Sequence, residues 1–281
     1  TDDDGIAMGH FGSLGYYLSA FIGEKIGDKE NSTENIVIPE KVNFLRDSTI
    51  STAITMIVFY LIAAIAAGSE YTETLSGGKN YIVFALTSAL SFAVGVTIVY
   101  NGVRMILSEL IPAFQGISQK LIPNAIPAVD CAVFFTYAPN AVLIGFISSF
   151  IGGVIGMVIL GAVGAVLIIP GLVPHFFCGA TAGIYGNATG GKKGAIVGAF
   201  VNGLLLSFLP AMLLPVLGSI GFQNTTFGDF DFGVLGILIG KSTSSIGTAG
   251  IYIIVAILLA VLIIPSFLKT KTNVINAKDE Y

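Results

Sequence analysis

The chain has 281 residues, of which 54% are apolar and only 11% charged, and its mean hydropathy is strongly positive. Residues 131–191, 194–228 and 242–268 contain no Asp, Glu, Lys or Arg, and runs of this length exceed the about 20 apolar residues that cross a hydrocarbon layer, so this is a membrane protein. A net charge of −4 without a basic stripe excludes a nucleic-acid partner, and Cys131 and Cys178 lack the CxxC spacing of a metal site or disulfide framework and read as small buried hydrophobes.

The chain opens on Thr1, and TDDDGIAMGH is too acidic for the front of a signal peptide, so the N-terminal part of a longer protein is expected to be missing. Within residues 1–48, LGYYLSAFIGEKIG is predicted to form an amphipathic helix and GDKENSTEN a solvated loop. Residues 49–110 read as a pair of transmembrane helices: a span at 50–68, between RDS and SEYTETLSGGKN, and a second at 81–103 that stops at Arg104. Residues 111–281 read as a core transport domain with two broken segments, 122–139 and 171–193. Basic residues collect in cytoplasmic loops. Lys25, Lys29, Lys41 and Arg46 before the first span, Lys192 and Lys193, and the terminal KTKT therefore predict the inner side, and the acidic GDFDFG loop the outer side.

The core domain carries the features that point to a site. The apolar run at 140–169 is long for one crossing and is expected to tilt, bend or overhang the bilayer. Before it, the segment from Ile122 to Pro139 is too short and too proline-broken to span, and GLVPHFFCGATAGIYGNATGGKKG is interrupted in a similar way. Non-helical backbone at membrane depth survives only inside protein or along a watery cavity, and two broken segments beside complete spans are the mark of a transporter site near the midplane. Asp130 is a lone carboxylate in such a segment. It reads either as the N-cap of a half-helix or as a contact for a polar ligand, roles that one residue can combine. His10 and His175 are the two histidines, and His175 reads first as a packed core residue.

The strings RMILSELIPAFQGISQKLIPNAIPAVD, YAPNAVLIGFISSFIGG, LIIPGLVPHFFCGATAGIYGNATGGKKGA and NTTFGDFDFG, with GHFGSLGYYL near the start, resemble the C-terminal part of the membrane permease (IIC) component of the ascorbate-type phosphoenolpyruvate-dependent sugar phosphotransferase system. The resemblance implies an all-α polytopic membrane protein, a homodimer in the bacterial inner membrane. Each protomer would have a core domain with re-entrant hairpins and a V-shaped dimerisation domain, with ascorbate or a similar sugar held between them. It implies substrate contacts at His10, Phe11 and Asp130, with Val129 beside the last, and His175 and Asn187 are further candidates in the second broken segment. Phe11 departs from the amide side chain expected there in some relatives. The first half of the family's fold has no counterpart in this chain. No cofactor, metal or enzymatic step is expected, because phosphoryl transfer belongs to the soluble IIA and IIB partners. The alternatives are a proton-coupled secondary transporter using Asp130, or a membrane fragment that does not transport.

Overall fold

The computed structural model describes residues 6–36, 41, 48–121 and 126–276. Arg46 and the first residues of the first broken segment, 122–125, lie outside the described residues. The chain is almost wholly helical. Its elements in order are β1 (Ala7–Met8), α1 (Ser13–Ile26), a short 3-10 turn (Thr33–Asn35), α2 (Ser48–Ala67), α3 (Ser69–Leu75), α4 (Tyr81–Lys120), β2 (Ala128–Val129), α5 (Cys131–Phe134), α6 (Pro139–Ala162), α7 (Leu172–Pro174), a π-helical turn (His175–Gly179), α8 (Ala180–Ser219), α9 (Phe230–Ile246) and α10 (Thr248–Asn276). Tyr81–Phe114, Pro139–Ala162 and Leu172–Ser219 are long and apolar enough to cross a membrane, and Thr52–Ala67 with Ser69–Leu75, bent by 110°, supply a fourth crossing if they act as one span.

The α2–α4 pair follows the expected pattern at its start and departs from it at its end. Gly68, with φ of +86°, closes α2 where the 50–68 span was expected to stop, and the Asn80 side chain caps α4 by accepting from the Ile82 and Val83 amides. Ala85, Ala89 and Ala93, four residues apart and buried, give α4 a smooth face, and Ala89 packs in the same core as Met56 of α2. The helix does not stop at Arg104. It runs to Lys120 with Pro112 inside it, across the boundary expected at 110, because a single cation on a helix surface can reach water without ending the helix. At 1.5 Å per residue its 40 residues span about 60 Å, twice the hydrocarbon thickness of about 30 Å.

The apolar run at 140–169 resolves into a shorter helix and a tail. Proline stands at the first turn of α6, where its missing amide costs nothing, and α6 ends in a Schellman motif. There the Ala165 amide donates to the Leu160 carbonyl at 2.9 Å, the Gly164 amide to the Gly161 carbonyl at 3.2 Å, and Gly164 takes the left-handed conformation at φ +68°. Residues 165–170 then run without regular structure to α7.

The 48-residue stretch Leu172–Ser219 is not a straight rod. Gly190 and Gly191 leave helical geometry, Gly191 with φ +57°, and the backbones of Gly186 and Gly194 touch. Residues eight apart on a straight helix would stand about 12 Å apart, so the chain reverses here into a helical hairpin with limbs 172–189 and 192–219. Helix α1 lies in the groove between the limbs. Gly23 meets Gly186, Gly190 and Gly194; the Ser19 hydroxyl donates to the Ala182 carbonyl, and Ser19 abuts Gly198; Gly15 faces Asn202. On the other side, α6 runs antiparallel to the first limb through Gly145 against Gly179 and Gly183, and parallel to the second through Ser149 against Gly203 and Gly156 against Ser207. Rings lock this body to α2 and α4: Phe59 meets Phe146 and Phe150, Phe92 meets Phe176, and Tyr100 meets Phe135. The outer faces of α2, α4, α6 and α10 expose large aliphatic side chains, which suits a surface that meets lipid.

Where backbone meets backbone, an added methyl group has nowhere to go. A Cβ on Gly203 would sit 2.6 Å from the Ser149 carbonyl carbon, whereas one on Gly95 of α4 would meet nothing within 4 Å. Gly203→Ala is expected to destabilise the protein by about 1–3 kcal/mol through overpacking, and Gly95→Ala to be neutral or stabilising by up to about 1 kcal/mol through helix propensity. Thermal unfolding of both variants in the same detergent measures the contrast.

Candidate functional site

Two extended segments from distant parts of the chain meet at the site. β1 and β2 pair in parallel, with Ala7 opposite Ala128 and Met8 opposite Val129. The Ala7 amide donates to the Pro127 carbonyl and the Gly9 amide to the Val129 carbonyl, both at 2.9 Å. Proline limits what residues 126–127 can do, since it fixes φ and biases the residue before it to extended geometry, which leaves the carbonyls of IPAVD free to accept from a neighbouring strand. Gly9 lets the strands close, because a Cβ there would lie 2.9 Å from the Ala128 Cβ. Each strand then turns into a helix, α1 after His10–Gly12 and α5 after Asp130, and so His10 and Asp130 are brought side by side.

His10 is the centre of the cluster. Its Nδ1 bonds to the Tyr16 hydroxyl at 2.7 Å, and the two rings lie nearly parallel. Tyr16 is fully buried and so fixes the imidazole in place. Around the ring stand two thiol–carboxylate pairs: Cys131 Sγ donates to Asp130 Oδ1 and Cys178 Sγ to Asp229 Oδ1, each at 3.2 Å. Ligand atoms of His10, Asp130 and Cys131 lie within 4.8 Å of one another, and so do those of His10, Cys178 and Asp229. A cleft of about 230 Å³ opens on this side, lined by His10, Val173, Pro174, Phe177, Cys178 and Asp229 together with Gly228.

The three carboxylates nearby have different local duties. Asp130 is exposed and is the N-cap of α5, its Oδ1 accepting from the Ala132 amide at 3.1 Å. Asp231 caps a helix other than its own. Gly12, at the N-cap of α1, has no side chain for the task, so Asp231 Oδ1 accepts from the Leu14 amide at 2.9 Å while the Asp231 amide donates to the Phe11 carbonyl at 3.0 Å. Half-burial raises the Asp231 carboxyl above its ordinary range, opposed by the amides of Leu14 and Ser13. Asp229 is the N-cap residue of α9 yet makes no capping bond with its side chain; the carboxylate turns to Cys178 and the cleft instead.

Of the residues singled out in the sequence, the structure brings His10, Asp130 and Val129 together. Val129 is buried beneath β1. Phe11 follows His10 but is 60% exposed, its ring tilted against that of Phe232 of α9 with centroids 4.6 Å apart. His175 and Asn187 stand elsewhere, each bonded to other parts of the protein. His175 is buried, its Nδ1 bonded to the Ser149 hydroxyl at 2.8 Å. Asn187 ties the loop after α1 to α8: its Oδ1 accepts from the Thr33 amide at 2.8 Å and its Nδ2 donates to the Ser32 hydroxyl at 3.0 Å. Tyr16, Cys178 and Asp229 were not picked out. One signal was available: GDFDFG places two carboxylates, with no cation beside them, between long uncharged runs.

The two aspartates of that loop give a controlled comparison. Asp231→Ala removes the only side-chain acceptor at the start of α1 among the described residues and is expected to cost about 1 kcal/mol, seen as a lower unfolding midpoint. Asp229→Ala removes no helix cap and is expected to leave the midpoint unchanged. Parallel melts in detergent decide between these outcomes.

With this geometry in place, comparison with known proteins is informative. The chain is 28% identical over 233 residues to the ascorbate-specific PTS system EIIC component of Mycoplasma pneumoniae, an alignment covering 73% of this chain and 35% of that protein. The chain thus spans about a third of the length of the curated relative it matches. Residues 1–231 match the family of the PTS system sugar-specific permease component, EIIC-GAT, and the chain belongs to that family.

Proposed function

We propose that this chain carries part of the sugar site of a phosphotransferase-system permease that takes up ascorbate or a similar sugar acid. The observation that carries the reading is the β1–β2 pairing, which sets His10 beside Asp130 at the starts of two helices. A sugar presents hydroxyl groups, and a carboxylate, being acceptor-only, can take two of them while an imidazole nitrogen takes or gives a third. With Nδ1 held by Tyr16, Nε2 is the nitrogen left for the sugar. Phe11, exposed and braced by Phe232, offers an apolar face, and Val129 shapes the floor under Asp130. An anionic sugar acid would meet Asp130 through a hydroxyl, since two bare anions repel.

In this reading the protein moves the sugar and a soluble IIB partner, charged by IIA, phosphorylates it on the cytoplasmic side. That side is the end of α1 where Lys29 and Lys192 gather: the Asp28 amide donates to the Gly190 carbonyl and the Lys192 amide to the Asn31 carbonyl, while Asp229 and Asp231 lie at the opposite end. The working unit is a homodimer in a bacterial inner membrane, with α2 and α4 belonging to its dimerisation part. A re-entrant role for the two broken segments is supported by the strand at β2, within the described residues 126–139, and by the reversal at Gly190–Gly191.

The test uses a substitution that separates capping from sugar contact. Asparagine caps helices as well as aspartate does, so Asp130→Asn keeps the bond from Ala132 and removes the charge. In cells expressing the protein, Asp130→Asn is expected to reduce ascorbate uptake at least about tenfold, the cost of one lost charged hydrogen bond, with unchanged membrane abundance. Uptake is expected to vanish when the phosphorelay is deleted and to survive an uncoupler. Normal uptake by Asp130→Asn removes Asp130 from the site, and uptake that follows the proton gradient and ignores the phosphorelay replaces the reading with proton coupling.

A further inference from the structure

The two cysteines carried no local metal signature, because sequence patterns register ligands a few residues apart, and here the donors come from three separate segments. We infer that His10, Cys178 and Asp229 form a binding site for a soft divalent cation such as Zn²⁺. Their ligand atoms already lie within 4.8 Å of one another. In a tetrahedral zinc site, with Zn–S about 2.3 Å and Zn–N or Zn–O about 2.0–2.1 Å, donors stand about 3.3–3.6 Å apart, so side-chain rotations of roughly an ångström complete the geometry.

Two further observations favour this triad over that of His10, Asp130 and Cys131. All three of its residues line the 230 Å³ cleft, which supplies an entry path and room for a water in the fourth position. Asp229 forgoes the capping bond its position at the start of α9 offers and points to Cys178, whereas Asp130 is committed to its cap. The His10 ring, common to both triads, is oriented by the Tyr16 hydroxyl at Nδ1, and with Nε2 as the metal-binding nitrogen this is the arrangement by which a neighbouring group fixes a metal-binding imidazole. Charge also closes. On binding, the Cys178 thiol gives its proton to solvent, and one thiolate plus one carboxylate neutralise a divalent ion, so the occupied site is neutral in surroundings that penalise net charge. Thiolate and imidazole donors select a borderline-soft ion over Mg²⁺ or Ca²⁺. His10 belongs also to the proposed sugar site, so metal and sugar exclude one another there; the metal test is read without sugar, and its outcome is independent of that reading.

The experiment is a titration of the purified, reduced and chelator-stripped chain in detergent with Co²⁺, followed by Zn²⁺. One equivalent of Co²⁺ is expected to bind with a thiolate-to-cobalt charge-transfer band in the near ultraviolet, which Zn²⁺ abolishes by displacement. Cys178→Ser is expected to lose the band, Asp229→Asn to raise the dissociation constant by more than about a hundredfold, beyond the roughly 10–100-fold that outer-shell changes cost, and Cys131→Ser to bind as the parent does. Size-exclusion elution checks that each variant is folded. Should Cys178→Ser fail that check, alkylation of the parent read by peptide mass gives a second measurement: Zn²⁺ is expected to protect Cys178 from a maleimide. A parent protein without the band, a band lost in Cys131→Ser but kept in Cys178→Ser, or alkylation of Cys178 indifferent to Zn²⁺ overturns the assignment.

Discussion

The close approach of α1 to both limbs of the α8 hairpin is the contact on which the rest of the structure depends. Gly23, Gly186, Gly190 and Gly194 bring three backbone segments together at one level, and Gly27 lies against the Gly190 carbonyl. In lipid, apolar side chains gain little by leaving the solvent for each other, so helix association relies on close packing and on hydrogen bonds. Glycine permits both here. The hydroxyl of Ser19 reaches the Ala182 carbonyl and that of Thr189 reaches the Ala20 carbonyl, bonds that larger side chains at the crossing would prevent. Once α1 is seated, the position of His10 at its head follows.

A second theme is the sharing of helix caps across the chain. Pro139 and Ala138 cannot satisfy the first amides of α6, and Glu34, more than a hundred residues earlier, accepts from the amides of Asn140 and Ala141. Asp231 does the same for α1 from over two hundred residues later. Charged acceptors matched to the positive end of a helix dipole are favourable, and where water is scarce the unsatisfied amides they replace would be costly. Each such bond therefore fixes tertiary position as well as helix start: Glu34 anchors the loop after α1 onto α6, and Asp231 anchors α9 onto the head of α1. The site lies at the second of these anchors, held from both sides by secondary structure that starts there.

Much of this was legible in the residues. Long uncharged runs mark the membrane segments, and Asp130 among prolines reads as a cap or a ligand contact at a break, of which its bond to the Ala132 amide fulfils the first. The ends of helices are legible where a glycine or a cluster of polar residues makes them, as at Gly68, whereas a single charge does not mark a stop, as at Arg104, which α4 passes. The loop GDFDFG reads by its sign as an outer loop. Its two aspartates are divided between capping α1 and facing Cys178, a division no local pattern encodes, since both partners lie far off in the chain.

The sequence by itself determined that this chain is helical and lives in a membrane, because hydropathy and capping depend on a residue and its near neighbours in the chain. It also determined where the backbone is free to leave the helix, because proline and glycine act on their own dihedral angles. Only the tertiary structure decided which of those breaks meet. The pairing of Met8 with Val129, the reversal that presses Gly186 on Gly194, and the convergence of His10, Cys178 and Asp229 join residues separated by a whole fold. Such contacts are chosen by the shapes of packed helix faces, and shape exists only once the backbone is in place.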